Sequence, residues 1–264
     1  MGSLLYGSGL FGAIALSVGL FVSVLTALEV GRLVWQWQVN AGREPESTGV
    51  GAVTSAIFAL LGLLIAFTFS GAASRFETRR TLIVQEANDI GTAYLRLDLL
   101  SPPIRDELRN TFRQYLDARL QAYRAVPDRE AVTQALARAG ELRDRLWERS
   151  VEESPRASTP AATMLLLPAL NAAFDTASTR LASTMEHPPG VIYALLLALS
   201  WIGALFAGYG MARRGPRNWL HGLLFAVTLA ATLHVIVDLE YPRLGLIRVD
   251  EFDQVLQEVR NSMK

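Results

Sequence analysis

The stretch that decides the fold is VGAVTSAIFALLGLLIAFTFSGAASRFETRR, residues 50–80. Its first two-thirds contain no charged residue. It then runs into Arg75, Glu77, Arg79 and Arg80 with no proline and no strong turn signal. About 20 apolar residues are enough for a helix to cross the hydrocarbon core of a bilayer. The stretch therefore predicts one helix that crosses a membrane and continues in water as a polar helix.

Three further apolar runs accompany this second span, which covers about residues 50–73. They lie at about residues 9–34, 191–212 and 218–237. The chain has 264 residues, of which 51% are hydrophobic, and the charged residues are concentrated in its middle. This distribution is typical of an integral membrane protein with an extramembrane domain. The formal net charge is zero, so the composition does not indicate a nucleic-acid partner.

The charged middle of the chain is predicted to be helical throughout. Apolar residues recur at three- and four-residue spacing over 75–100, 104–125, 128–153 and 159–185, which indicates amphipathic packing helices. No segment reads as a strand. The predicted fold class is therefore all-α, with four transmembrane helices and a helical domain inserted between the second and third spans. The predicted boundaries are 1–74, 75–189 and 190–240, followed by a polar tail over 241–264.

Residue patterns for catalysis are missing from the sequence. The three histidines belong to no ligand-spaced motif, and the chain contains no cysteine. We predict no enzyme activity, no cofactor and no metal site, and interpret Asp238–Glu240 as a polar helix end rather than a cation site. Glu29 and Arg32 lie on one helix face. They form either an interfacial ion pair that orients the first span or part of a pore mouth.

The segment QEANDIGTAY, residues 85–94, contains more polar residues than a packing helix requires. Gly91 in mid-helix costs roughly 1 kcal/mol relative to alanine, which suggests that another backbone approaches it closely. The segment either packs within one subunit or forms a subunit contact or polar pore wall.

Two stretches resemble the bacterial bestrophin-like family of membrane proteins. They are RFETRRTLIVQEANDIGTAYLRLDLL after the second span and DLEYPRLGLIRVD after the last. The resemblance implies four spans, a cytosolic helical domain and cytoplasmic termini, in a homo-oligomer that is a pentamer around the second spans. It places the chain in a bacterial inner membrane, in contact with lipid. The arginines that flank the two sides of the spans are too evenly divided to decide the orientation alone.

The resemblance also implies a pore neck on the second span. Bestrophin necks place bulky apolar residues at i, i+4 and i+8, and aligning Arg75-Phe76 with the family's arginine–aromatic pair selects Ala59, Leu63 and Phe67. Leu63 and Phe67 suit a hydrophobic constriction, which can gate by dewetting. Ala59 is smaller than the residue usual in the family. Alternatively, these side chains face lipid or a neighbouring helix.

The implied function is passive permeation of small ions. The predicted pore mouth and vestibule comprise Ser70, Arg75, Glu77, Arg79, Asn88 and Asp89. Arginines at 75, 79 and 80, repeated around a ring, would favour anions such as chloride if they faced the lumen. Glu77 or Asp89 there would favour cations. We expect a slight preference for anions. The alternative function is a non-conducting scaffold or sensor whose cytosolic helices bind a partner.

Overall fold

The computed structural model describes residues 2–43, 50–153, 160–213 and 219–264, and the regular elements within these ranges are all helical. In chain order they are α1 (Gly2–Asn40), α2 (Val50–Arg96), α3 (Pro102–Arg124), α4 (Arg129–Glu153), α5 (Pro160–Ser183), α6 (Gly190–Arg213), α7 (Trp219–Glu240) and α8 (Asp253–Ser262). Short 3-10 turns follow α2 and precede α8. The predicted all-α class is confirmed for the described part of the chain.

Four of these helices contain stretches that are long and apolar enough to cross a membrane. The stretches are Ser17–Asn40, Gly51–Leu99, Gly190–Arg213 and Trp219–Glu240. Each of them overlaps one of the four apolar runs of the sequence. The helix α2 is unbroken over 47 residues, which confirms that the second span continues into a polar helix.

The chain forms two compact units. One comprises residues 10–74 and 187–241 and is called the apolar unit here. The other comprises residues 75–186 and 242–264, together with the start of the chain, and is called the polar unit. The first half of α2 belongs to the apolar unit and its second half to the polar unit.

Glycines allow close packing of α1 on α6 in the apolar unit. A Cβ atom at Gly31 would overlap the carbonyl oxygen of Leu205, and one at Gly208 would overlap the carbonyl oxygen of Leu28. Small residues of this kind let two membrane helices approach closely. Gly62 on α2, however, has no neighbour within 4 Å of an added Cβ.

Replacing Gly31 with alanine is expected to destabilise the apolar unit by about 1–3 kcal/mol, the usual cost of overpacking. The new methyl group would meet rigid backbone, which cannot move aside as a side chain can. Gly19→Ala on the same helix is the matched control, because a Cβ there has open space. Thermal unfolding of the purified protein in detergent measures both. Equal melting temperatures for the two variants would contradict the α1–α6 contact.

The core of the polar unit is built from one apolar stripe on each of several helices. The second half of α2 contributes Ile83, Ala87, Ile90, Tyr94 and Leu97, as its three- and four-residue spacing predicts, and all five are buried. Edge-to-face ring contacts continue from Tyr94 through Phe112 and Tyr115 to Phe174, with centroids 5.7–6.0 Å apart. These contacts join α2, α3 and α5.

Helix starts in the polar unit follow from local sequence. Asp128 accepts hydrogen bonds from the backbone N–H groups of Glu130 and Ala131 at 3.0 and 3.1 Å, and thereby caps α4. Ser101 is the N-cap residue of α3, but its side chain makes no capping hydrogen bond. Prolines in the first turn of α3 take its place, since proline has no N–H to satisfy and a preset φ.

The C-terminal segment differs from the polar tail that the sequence predicted. The helix α7 continues to Glu240, and both Asp238 and Glu240 are buried. The last residues form α8, which buries Leu256 completely in the core of the polar unit. The helix α8 is only ten residues long and follows a segment with Pro242 and Gly245, so its periodicity is weak in the sequence.

Candidate functional site

One side of the first half of α2 is not covered by the rest of its own chain. The packed side is marked by Leu61, Thr68 and Ala72, which are all buried. In the most apolar part of α2 only 11% of residues are buried, against 22%, 22% and 33% in the other three spans. Among the described residues, the second span therefore has the smallest buried share of the four.

The predicted neck residues lie on this uncovered side. At about 100° per residue, Leu63 is about 200° round the helix from Leu61, and Phe67 is about 240°. Their exposed fractions are 55% and 68%. Ala59 is also exposed, directly beside Leu63. Several other residues of this side are small and exposed: Ala52, Ala56, Ala66 and Ser70.

Leu60 is a further bulky residue on this side that the sequence reasoning did not select. It is 56% exposed and lies within about 20° of Phe67 round the helix. Leu60, Leu63 and Phe67 follow the i, i+3, i+7 spacing of a single helical stripe. The i, i+4, i+8 pattern taken from the family resemblance points to Ala59 instead, which is why Leu60 was missed.

The predicted mouth and vestibule residues divide between two sides of α2. Ser70, Glu77 and Asn88 lie within about 40° of Leu63 round the helix, and all three are exposed. Asp89 lies about 80° round the helix from Leu63. It accepts a hydrogen bond from the Thr176 hydroxyl at 2.7 Å.

Arg79 is placed differently from the expectation of a vestibule residue. Its side chain is 5% exposed and donates to the carbonyl oxygens of Ser183 at 3.1 Å and Glu186 at 2.9 Å. The guanidinium therefore fixes the end of α5 and its following turn. Arg75 lies on the same side of α2 as Arg79 and is half-buried. Arg80 pairs with Glu77 at 2.7 Å and covers the Phe252 ring at 4.2 Å.

The polar segment 85–94 also has residues on both the packed and the uncovered side of α2. Its buried members pack within the polar unit, whereas Gln85, Asn88 and Thr92 are exposed. The expected backbone approach at Gly91 is wrong within the described chain, since the one neighbour of an added Cβ is the Val259 side chain at 4.0 Å. A methyl group would fit there in ordinary contact.

The largest site that sequence reasoning missed is a buried charge cluster in the polar unit. We define it as Glu86, Arg119, Tyr123, Arg180, Asp253 and Arg243, from α2, α3, α5 and the C-terminal segment. The Glu86 carboxylate has no exposed surface and accepts from Arg119 at 2.8 Å and from Arg180 at 2.6 Å. Arg180 also pairs with Asp253 at 2.5 Å, and Arg243 pairs with Asp253 at 2.8 Å.

Tyr123 is the third side chain of the cluster that contacts the Glu86 carboxylate. Its hydroxyl lies 3.2 Å from Glu86 Oε2, and the Arg180 guanidinium covers its ring at 3.8 Å. Burial, and then the negative charge of Glu86, raises the pKa of the Tyr123 phenol well above its ordinary value. The phenol therefore stays neutral and serves as a hydrogen-bond donor to the carboxylate. This cluster joins the two stretches that carry the family resemblance.

The apolar unit contains two polar pairs, one near each end of its spans. Glu29 and Arg32 form an ion pair at 2.9 Å. His187 Nδ1 lies 3.4 Å from Glu240 Oε2 and its ring stacks on Tyr241 at 4.5 Å, beside the helix end that Asp238–Glu240 form. Among the described residues, no group of three or more His, Asp or Glu side chains is placed to hold a metal ion.

Comparison with known proteins agrees with this fold. The model of the Bestrophin-like domain matches residues 18–252. A crystal structure of a bacterial bestrophin homologue from Klebsiella pneumoniae is similar to the chain, with a TM-score of 0.71 and 13% identity over 93% of this chain and 96% of that one. Another crystal structure, described as a membrane protein, has a TM-score of 0.72 and 11% identity over 94% and 97%. A search of curated proteins finds no match.

Proposed function

The chain belongs to the bestrophin-like family, and on that premise we propose that it is a homo-oligomeric ion channel whose central pore is lined by α2. Ions would move passively, without a catalytic step. We propose a pentamer, with the polar unit and both termini in the cytoplasm of a bacterial cell and the four spans in its inner membrane.

The uncovered side of α2 is the observation that supports this proposal best. A 47-residue helix that packs with one side only leaves a continuous surface for other copies of the chain or for a lumen. Small residues dominate that surface, so several copies could bring their second spans together around an axis. The two bulkiest side chains nearest its centre, Leu63 and Phe67, would then narrow the lumen.

We propose that Leu60 joins Leu63 and Phe67 in the neck. Ala59 is too small to close a lumen, and Leu60 lies at nearly the same level of the helix. An apolar ring of this kind selects weakly by charge and gates by excluding water. The vestibule would begin at Ser70 and continue past Glu77 and Asn88.

The charge on this side of α2 favours the permeation of cations, rather than of the anions expected from sequence. That expectation required arginines in the lumen, but Arg79 is buried and Arg75 is on the packed side. Glu77 has an exposed fraction of 62% and lies on the uncovered side, whereas its partner Arg80 is held over the Phe252 ring.

Replacing Glu77 with glutamine is expected to lower the permeability of cations relative to anions several-fold, and Glu77→Lys further. A unit charge about 4 Å from an ion is worth about 1 kcal/mol even in a dielectric like that of water. Reversal potentials in a salt gradient measure the ratio. Glu148→Gln, an exposed acid on α4, is the control. An unchanged ratio in both Glu77 variants would remove Glu77 from the pathway.

Planar-bilayer recording of the purified oligomer tests the channel proposal itself. We expect unitary currents in potassium or sodium salts. A folded oligomer that gives no currents in any common salt would contradict the proposal and favour the scaffold alternative. In that case the exposed apolar side chains of the polar unit, such as Leu95 and Met164 at 66% and 76%, would be the first candidates for partner contact.

A further inference from the structure

The apolar unit contains a cavity of about 670 Å³ at one end of its spans. It lies between the last turns of α1, the last turn of α6 and the first turn of α7. Its volume is within the range of small-molecule binding sites. The described lining residues all belong to the apolar unit, and none of them takes part in the proposed neck or vestibule.

The lining changes from apolar to charged along α1. Val22, Leu25 and Leu28 form its deeper part, and Glu29 and Arg32 form the part nearer the helix end. The distance from Val22 to Arg32 is about 15 Å along the helix axis. Apolar side chains toward the middle of a span and charges toward its end follow the order of acyl chain and headgroup in a phospholipid.

Two tryptophans mark the level of the membrane interface at this cavity. Trp35 on α1 and Trp219 on α7 both line it, and Trp219 is 67% exposed. Tryptophan is enriched where hydrocarbon meets headgroups, because its ring is apolar and its N–H is polar. The charged end of the cavity is therefore at headgroup depth.

Among the described residues, the cavity lining contains one acid and one base, which pair with each other. Arg32 donates to Glu29 at 2.9 Å, and the two side chains are 25% and 41% exposed. A guanidinium has five N–H donors, so Arg32 can bind a phosphate while it keeps this bond. The Glu29 carboxylate can at the same time accept from an ammonium group. A neutral pair of this kind complements a zwitterionic headgroup better than an anionic one.

We propose that this cavity binds a phospholipid with an ethanolamine headgroup. Its phosphate contacts Arg32, its ammonium contacts Glu29, and its acyl chains lie along Val22 and Leu25. The inference requires the chain to be a membrane protein but does not require it to conduct ions. Lipid binding and current can therefore succeed or fail independently.

Native mass spectrometry of the detergent-purified oligomer tests the proposal. Phosphatidylethanolamine, phosphatidylcholine and phosphatidylglycerol with identical acyl chains are added in turn. We expect phosphatidylethanolamine to be retained most strongly. Arg32→Gln should weaken its retention about tenfold, the size of one lost charge-assisted hydrogen bond. Glu29→Gln should abolish the preference for ethanolamine over choline.

Arg43→Gln is the matched control. Arg43 is a basic residue just beyond the same end of α1, stacked on Trp37 at 5.2 Å, but it does not line the cavity. An equal loss in Arg43→Gln and Arg32→Gln would show general attraction of headgroups and overturn the proposal. Equal retention of the three lipids by the unaltered protein would also overturn it.

A further variant tests the proposal if Arg32→Gln and Glu29→Gln do not fold. Leu25→Trp fills the deep part of the cavity and leaves both charges in place. It should displace the lipid while the oligomer mass stays the same in the spectrum. A loss of oligomer mass without a change in lipid retention would mean that a second copy of the chain covers this cavity, and would contradict the proposal.

Discussion

Glu86→Gln is expected to destabilise the polar unit by about 3–5 kcal/mol, the usual cost of removing one partner from a buried ion pair. The carboxylate is fully buried and balances Arg119 and Arg180. A neutral amide leaves an excess of buried positive charge, because Asp253 is already shared between Arg180 and Arg243. Thermal unfolding of the purified protein, followed by circular dichroism, measures the loss.

Glu107→Gln is the matched control for this prediction. Glu107 makes a two-bond ion pair with Arg149, at 3.0 Å for each bond, and its side chain is 46% exposed. Exposed pairs contribute about 0–1 kcal/mol, so this variant should unfold close to the unaltered protein. Similar melting temperatures for the two variants would show that the cluster contributes no more than a surface pair.

Phe67→Ala is expected to raise the current through each oligomer several-fold, and Leu63→Ala to act in the same direction. Each substitution removes a bulky apolar group from a surface that otherwise consists mostly of alanine and serine. A wider and less apolar constriction wets more readily. Both side chains are more than half exposed, so their loss should change stability by only about 0.5 kcal/mol.

Phe69→Ala is the control for the neck. Phe69 has the same side chain, is 44% exposed and lies only two residues away. It points about 160° round the helix from Phe67. Bilayer recording should therefore show unaltered unitary currents for Phe69→Ala. Currents that rise equally in Phe67→Ala and Phe69→Ala would indicate loosened packing rather than a neck at Phe67.

The four spans and the helices α3, α4 and α5 were predictable because their signals are local. An unbroken apolar run or a three- and four-residue spacing is sufficient to identify each of them. The direction of the Arg79 side chain could not be predicted from local signals. Its side chain is held by carbonyl groups of Ser183 and Glu186, about one hundred residues further along the chain.

The buried charge cluster was also not predictable from local sequence signals. Glu86 obtains its partners from α3 and α5, and Arg180 obtains its second partner from the C-terminal segment. Each of these residues alone resembles an ordinary surface charge on an amphipathic helix. The one signal that could have identified Glu86 is its spacing, because it lies between Ile83 and Ile90 on the apolar stripe of α2.

Accessibility of Ser70 during bilayer recording tests most directly whether the uncovered side of α2 lines the pore. The chain contains no cysteine, so Ser70→Cys and Phe69→Cys each introduce one thiol, at almost the same depth and about 100° apart. A charged, water-soluble thiosulfonate reagent should block most of the current through Ser70→Cys and leave Phe69→Cys and the cysteine-free protein unchanged. Block of Phe69→Cys with no effect on Ser70→Cys would contradict the account.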